Sequence, residues 1–176
     1  MRRAWIFVLG LTILAAATSL LGQQKTVPAA PGMPAEQAID IAIGEMLGAW
    51  QIGDAEMLHR YFDESVSVVS GDFEPPIYGW TSYVQAYRRQ RERLQQVRLE
   101  RRNTYVNIRG SWAWAAYQWE FLALVDGTQT GARGHTTLVL EKKGERWLIV
   151  HNHTSVISQA AAPPAQAPAP PAKPQR

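Results

Sequence analysis

Cysteine is absent from this chain of 176 residues, which excludes disulfides, thiolate chemistry and a lipidated N-terminal cysteine together. Stability must come from a buried core. Acidic residues are absent from both ends, since all 15 lie between Glu36 and Glu145. Five of the 18 basic residues (Arg2, Arg3, Lys25, Lys173 and Arg176) fall outside the expected domain over 35–158, which leaves 13 against 15 within it. The formal charge of +3 therefore conceals a folded part of about −2, and nucleic-acid binding loses its electrostatic footing. Side chains able to bury a core are scarce in Gln23–Pro34, rich in Gln, Ala and Pro, and in Ala160–Arg176, which repeats Ala-Pro units.

The N-terminus joins Met1-Arg2-Arg3 to the apolar stretch Trp5–Leu21, the charged and apolar regions of a secretory signal peptide. That stretch is at the short end for a membrane-spanning helix, which needs about 20 apolar residues, so cleavage and export to the periplasm or the medium are expected and a stable span is not. An uncleaved anchor is the alternative, because none of the candidate sites after Ala17, Ser19 or Gly22 fits the small-x-small rule cleanly. The expected organisation is a signal peptide over 1–22, a low-complexity linker over 23–34, one domain over 35–158 and an Ala/Pro-rich tail over 159–176. Such a tail favours extended polyproline II and would hold the domain away from an envelope surface.

Inside the domain helical periodicity comes first. Ile39, Ala42, Ile43, Met46, Leu47 and Trp50 recur on one face after Pro34 and Glu36, predicting a helix over about Pro34–Gln51. Gly44 and Gly48 share a face of it. Each costs about 1 kcal/mol relative to alanine, so close approach by another element is the expected compensation and an exposed, slightly weak helix the alternative. Gly53-Asp54 ends this helix and caps a second, with Met57, Leu58, Tyr61 and Phe62 as its apolar stripe. Ser65–Ser70 reads as a short strand and Gly71–Pro76 as a loop. Trp80, Tyr83, Val84, Tyr87 and Leu94 mark a third helix, on which Arg88, Arg89, Arg91 and Arg93 read as a solvated face. Four strands follow, at about Leu99–Arg109, Trp112–Val125, Arg133–Lys142 and Arg146–Ile157. Helices followed by an antiparallel meander predict an α+β fold.

The stretch Gly134–Ser155, GHTTLVLEKKGERWLIVHNHTS, concentrates the candidate chemistry. Read with a three-residue loop at Lys142-Lys143-Gly144, it places Glu141 opposite Glu145, His135 opposite His151 and Arg133 opposite His153. One face then carries three imidazoles and a guanidinium. A histidine beside a carboxylate within apolar walls can move a proton next to a carbonyl, which makes His151, His135 and Glu120 the candidate catalytic residues. An H-x-H pair facing a third imidazole also matches the ligand count of a catalytic zinc. A loop one residue longer or shorter would turn His135 to the other face, so neither a metal nor another cofactor is expected. The strand Trp112–Val125 divides into Trp112, Trp114, Ala116, Gln118 and Glu120 on one side and Ala113, Ala115, Tyr117, Trp119 and Phe121 on the other. Either side fits a concave surface.

The run W-L-I-V-H-N-H-T-S, the aromatic-rich strand before it and G-D-A-E-M-L-H-R-Y-F resemble the SnoaL-like branch of the nuclear transport factor 2-like superfamily over roughly Ala35–Ser158. They are similar also to the calcium/calmodulin-dependent kinase II association domain. The resemblance implies a cone-shaped α+β fold, with three N-terminal helices packed on a curved antiparallel sheet and a pocket between them. It implies Tyr61, Tyr78, Trp80, Tyr83 and Tyr117 as pocket walls, and a homodimer joined through the sheet. Cyclases and ketosteroid isomerases of this superfamily perform acid–base chemistry, but the isomerase aspartate maps near Val69 or Ser70 and its helix-one tyrosine near Met46, so that pair is missing. The association-domain arginine maps to Leu138. Arg133 and His153 then stand as the polar ligand contacts. The expected function is an exported homodimer binding a small, partly apolar ligand; the alternative is a lyase, isomerase or cyclase using histidine on a carbonyl compound.

Overall fold

The computed structural model describes residues 32–161. The expected signal peptide, most of the linker and the Ala/Pro repeats lie outside the described residues. The first helix, α1, spans Ala35–Ile52 and buries Ile39, Ile43, Met46 and Ala49. Gly53 ends it in the left-handed region at φ 86°, with its N–H donating to Ala49 O at 3.1 Å, a conformation that glycine adopts without steric cost. Gly44 and Gly48 do not mark a close approach. Nothing lies within 4 Å of a side chain built at Gly48, and only the Arg101 guanidinium comes to 4.0 Å at Gly44. Arg101 is drawn there by Asp40, at 2.8 Å.

A short second helix, α2 (Ala55–His59), is capped by Asp54, which accepts from Met57 N at 2.8 Å. The chain then turns extended earlier than its apolar stripe suggests: Phe62 opens β1 (Phe62–Ser70) and leaves the helix. The expected loop after Ser70 is also a strand, β2 (Phe73–Tyr78), despite Pro75 and Pro76. It lies at the edge of the sheet, paired on one side only, where prolines are tolerated because no donor is needed outward. Helix α3 (Trp80–Glu92) buries Trp80, Tyr83, Ala86 and Tyr87. Arg91 departs from the expected solvated face. Its guanidinium bridges Leu94 O at 3.1 Å and Gln51 O at 3.2 Å, pinning the end of α3 to the end of α1.

Four long strands complete the chain: β3 (Leu94–Arg109), β4 (Trp112–Val125), β5 (Thr128–Lys143) and β6 (Arg146–Ala161). The sheet order is β2-β1-β6-β5-β4-β3. It is a curved mixed sheet rather than an antiparallel one, because β1 runs parallel to β6. That pairing joins segments some 80 residues apart and leaves no local mark in the sequence. At the other edge, β3 carries bulges with Gln96 and Asn103 at positive φ, and Leu99 N donates to the Gln51 side chain of α1 at 2.8 Å. Helices cover one face of the sheet, and the core between them includes Leu58, Val66, Ala115, Leu138, Leu140 and Ile149.

The buried Asp63 ties β1 to the β5–β6 turn. It accepts from Lys143 Nζ at 2.6 Å and from Ser65 N and Oγ at 3.0 and 2.6 Å. Burial alone would raise its carboxyl, but these donors outweigh burial and hold it at about 2. A folded value below the unfolded one stabilises above the ordinary carboxylate range, and that contribution is lost as pH falls towards 2. Urea denaturation should lose about 1–2 kcal/mol across that acid window in the parent chain, with allowance for the half-exposed Lys143. In Asp63→Asn this part of the pH dependence should vanish; a parent-like acid slope in the variant would show that Asp63 is not its source.

Candidate functional site

Between the helices and the inner face of the sheet lies a cavity of about 190 Å³. Helix α1 contributes Met46, Leu47 and Trp50; β1 and β2 contribute Val68, Ser70 and Phe73; α3 contributes Tyr83 and Gln90. The long strands supply Leu99, Tyr117, Trp119, Phe121, Ala132, Thr136, Asn152, Thr154 and Val156. Alternation on β4 therefore makes Ala113, Ala115, Tyr117 and Trp119 the inner set and Trp112, Trp114, Gln118 and Glu120 the outer one.

Aromatic packing shapes the walls. Trp50 meets Phe121 edge-on at 6.2 Å and Tyr87 at 6.1 Å, while Phe73 meets Tyr83 edge-on at 6.3 Å. Tyr87 OH donates to Trp50 O at 3.0 Å, which fixes the α1 wall against α3. Trp119 owes its position to Gly134, its direct cross-strand partner. A methyl group at Gly134 would fall 2.4 Å from the indole ring and 2.1 Å from Ser155 O.

Polar groups in the cavity are few. Thr154 donates to Asn152 Oδ1 at 3.0 Å, and its hydroxyl pairs with that of Thr136 at 2.8 Å. Asp72, exposed beside the cavity, accepts from Gln90 Nε2 at 3.3 Å. Burial pushes the Tyr117 phenol up to about 12, against a smaller opposing influence of Thr136, and burial raises Tyr83 as well. Both phenols are therefore neutral donors near pH 7 and not bases. The indole N–H of Trp119 is buried and has no hydrogen-bond partner among the described residues.

Of the expected wall residues, Tyr83 and Tyr117 line the cavity. Tyr61 lies apart from it, donating to Glu45 Oε2 at 2.5 Å; burial, then this carboxylate, raises its phenol. Tyr78 is exposed at the end of β2. Trp80 is buried in the core with its ring stacked on His59 at 4.4 Å, and His59 Nε2 lies 2.7 Å from Glu64.

The histidine strand has a different register from the expected one. Lys143 pairs with Arg146 across a two-residue turn, so Glu141 faces Leu148 instead of Glu145. A bulge at Val150 then restores the side-chain phase, leaving His151 opposite Val139, His153 opposite Thr137, His135 opposite Ser155 and Arg133 opposite Ser158. His135, His151 and His153 do share one face, but it is the outer face. His151 Nδ1 is bound to Ser67 Oγ at 2.7 Å, whereas His135, His153 and Arg133 are exposed. Glu120 also lies outside, 3.3 Å from Arg102. Among the described residues no three His, Asp or Glu side chains gather closely enough to hold a metal ion. Asn152 and Thr154, the polar residues that face the cavity from β6, alternate with the two histidines; their signal was the strand's other phase.

The model of a SnoaL-like domain matches residues 39–159. No curated protein matches the chain. Among solved structures, a nuclear transport factor 2-like superfamily protein from Salmonella enterica is 20% identical over 75% of this chain and 96% of its own, with a TM-score of 0.65. A ketosteroid isomerase-like protein from Erwinia carotovora is 19% identical, covering 69% and 95%, at 0.62. A protein proposed to be a scytalone dehydratase from Novosphingobium aromaticivorans is 12% identical, covering 72% and 86%, at 0.66. At these identities the likeness is one of fold.

Proposed function

Since the chain belongs to the SnoaL-like domain family, we propose that it is an exported, dimeric binding module that takes one small, partly apolar ligand into the cavity. The observation that carries this reading is the cavity's chemistry. Its walls are aromatic and aliphatic, its tyrosines are protonated, and its sole carboxylate among the lining residues, Asp72, is exposed and bound to Gln90. Acid–base catalysis needs a base and a second group to stabilise developing charge. The alternative of histidine chemistry on a carbonyl compound would need His135 or His151 in the cavity, and both lie on the opposite face of the sheet.

Export is supported by the charged and apolar N-terminal sequence. Pairing is supported by the outer face of the sheet, where Tyr105, Trp112, Trp114 and Leu122 are all more than two-fifths exposed. Native mass spectrometry of the chain purified from an exporting host tests the whole reading. We expect a dimer carrying the mass of a small molecule that is released on activation. In Ala132→Trp, which fills the cavity from β5, the dimer should remain and the extra mass should be lost. A ligand retained by the filled variant would place binding elsewhere.

A further inference from the structure

Resting on that binding reading, we infer that the cavity selects a neutral, single-ring carbonyl compound, whose oxygen accepts a hydrogen bond from the side-chain amide Nδ2 of Asn152. The first argument is reach. Asn152 lies mid-sheet on the inner face of β6, between its cross-strand partners Val68 of β1 and Leu138 of β5, which are 3% and 0% exposed. Asn152 itself is half-buried and lines the cavity, so the surface it keeps opens into that cavity. Its side chain makes one hydrogen bond among the described residues, through Oδ1, and Nδ2 is not among their fully enclosed polar atoms, so an entering ligand can touch it.

The second argument is orientation. Thr154 has a single hydroxyl proton and gives it to Asn152 Oδ1 at 3.0 Å, so the 2.8 Å contact between Thr136 and Thr154 takes its proton from Thr136. Thr136 is 3% exposed and pairs with Thr154 across the strands, which anchors the far end of this polar string. The string occupies the amide oxygen and leaves the N–H groups as the end turned to the cavity, set before a ligand arrives. An apolar molecule filling the cavity would strip water from these N–H groups and return nothing, whereas a carbonyl oxygen restores the bond.

Size and charge narrow the class. An apolar cavity of about 150 Å³ holds benzene, so about 190 Å³ holds one ring with a short substituent. No lysine, arginine or histidine lines the cavity, and Asp72 stands beside it, so a carboxylate would be desolvated there without a cation. A cation would meet the N–H groups of Asn152. The fitting ligands are ketones, esters or lactones on a single apolar ring.

Acetophenone, ethylbenzene and benzoate are similar in size and differ in the group offered to the amide. Titrating each into the full chain by calorimetry, we expect acetophenone to bind about tenfold more tightly than ethylbenzene, the factor one satisfied donor supplies, and benzoate to bind weakest. In Asn152→Leu, which keeps a side chain of similar size and removes the donor, the acetophenone-to-ethylbenzene ratio should fall to about 1. The side-chain amide proton resonances of Asn152 in the parent chain should also move downfield with acetophenone and not with ethylbenzene, a readout that survives if the variant does not fold. Equal affinities in the parent chain, a preserved ratio in the variant, amide resonances that ignore acetophenone or preference for benzoate overturns the inference, while ethylbenzene binding that Ala132→Trp abolishes keeps the binding reading. If none of the three binds, both fail.

Discussion

Gly134→Ala is expected to destabilise the domain by about 3 kcal/mol, the upper range for overpacking a closed interior. Ordinary small-to-large changes press on side chains that can rotate away. Here the added methyl meets the backbone oxygen of Ser155 at 2.1 Å and the Trp119 ring at 2.4 Å. Neither is the far end of a flexible side chain. Relief requires β5 and β6 to separate where Gly134 pairs with Val156, or the indole to leave its place in the cavity wall. Urea denaturation gives the stability loss. A loss below about 1 kcal/mol would mean that the strands yield easily, and that Trp119 is not held by this contact.

Trp114→Glu should convert the proposed dimer into a monomer at micromolar concentration. Trp114 sits on the outer face between Asn107 and Val139 on the neighbouring strands, with its ring 5.0 Å from that of Tyr105. A two-fold interface presents the same patch twice, so one substitution acts on both sides and sets two carboxylates against apolar surface. Buried aromatic anchors commonly contribute about 2 kcal/mol or more each, so the dissociation constant should rise at least about a hundredfold. Sedimentation velocity reads this directly. The thermal midpoint of the monomer should stay within a few degrees of the parent at low concentration, because the side chain supports no core contact. A variant that remains dimeric would assign the seam to another surface.

These expectations draw on features of unequal visibility in the sequence. Helix α1 and strand β4 were legible nearly to the residue, since the period of Ile39, Ile43 and Met46 and the alternation of Trp112–Val125 are each set by one buried face. The turn at Gly144 was legible as a turn, but its length was not. A shorter turn set later, at Gly144-Glu145, moved the register by three residues and the bulge at Val150 by one more, so His135 lies four positions along its partner strand while staying on the same face as His151 and His153. Strand β2 was hidden by Pro75 and Pro76, whose tolerance depends on an edge position that only the whole sheet defines. The cavity was legible through Tyr83 and Tyr117 and obscure through Asn152 and Thr154. Histidines draw notice for their chemistry, and the inward phase of the same strand is polar, small and quiet.

The two margins of the sheet carry a consequence for self-association. An open row of backbone donors and acceptors invites an incoming chain to add as a further strand, the growth step of fibrils. On β2 the prolines remove donors from that row, and on β3 the positive-φ bulges at Gln96 and Asn103 break its spacing while the Gln51 side chain occupies the N–H of Leu99. Strand-by-strand extension is thus blocked at both ends, and a crowded population of these molecules can meet by its faces without polymerising through its edges.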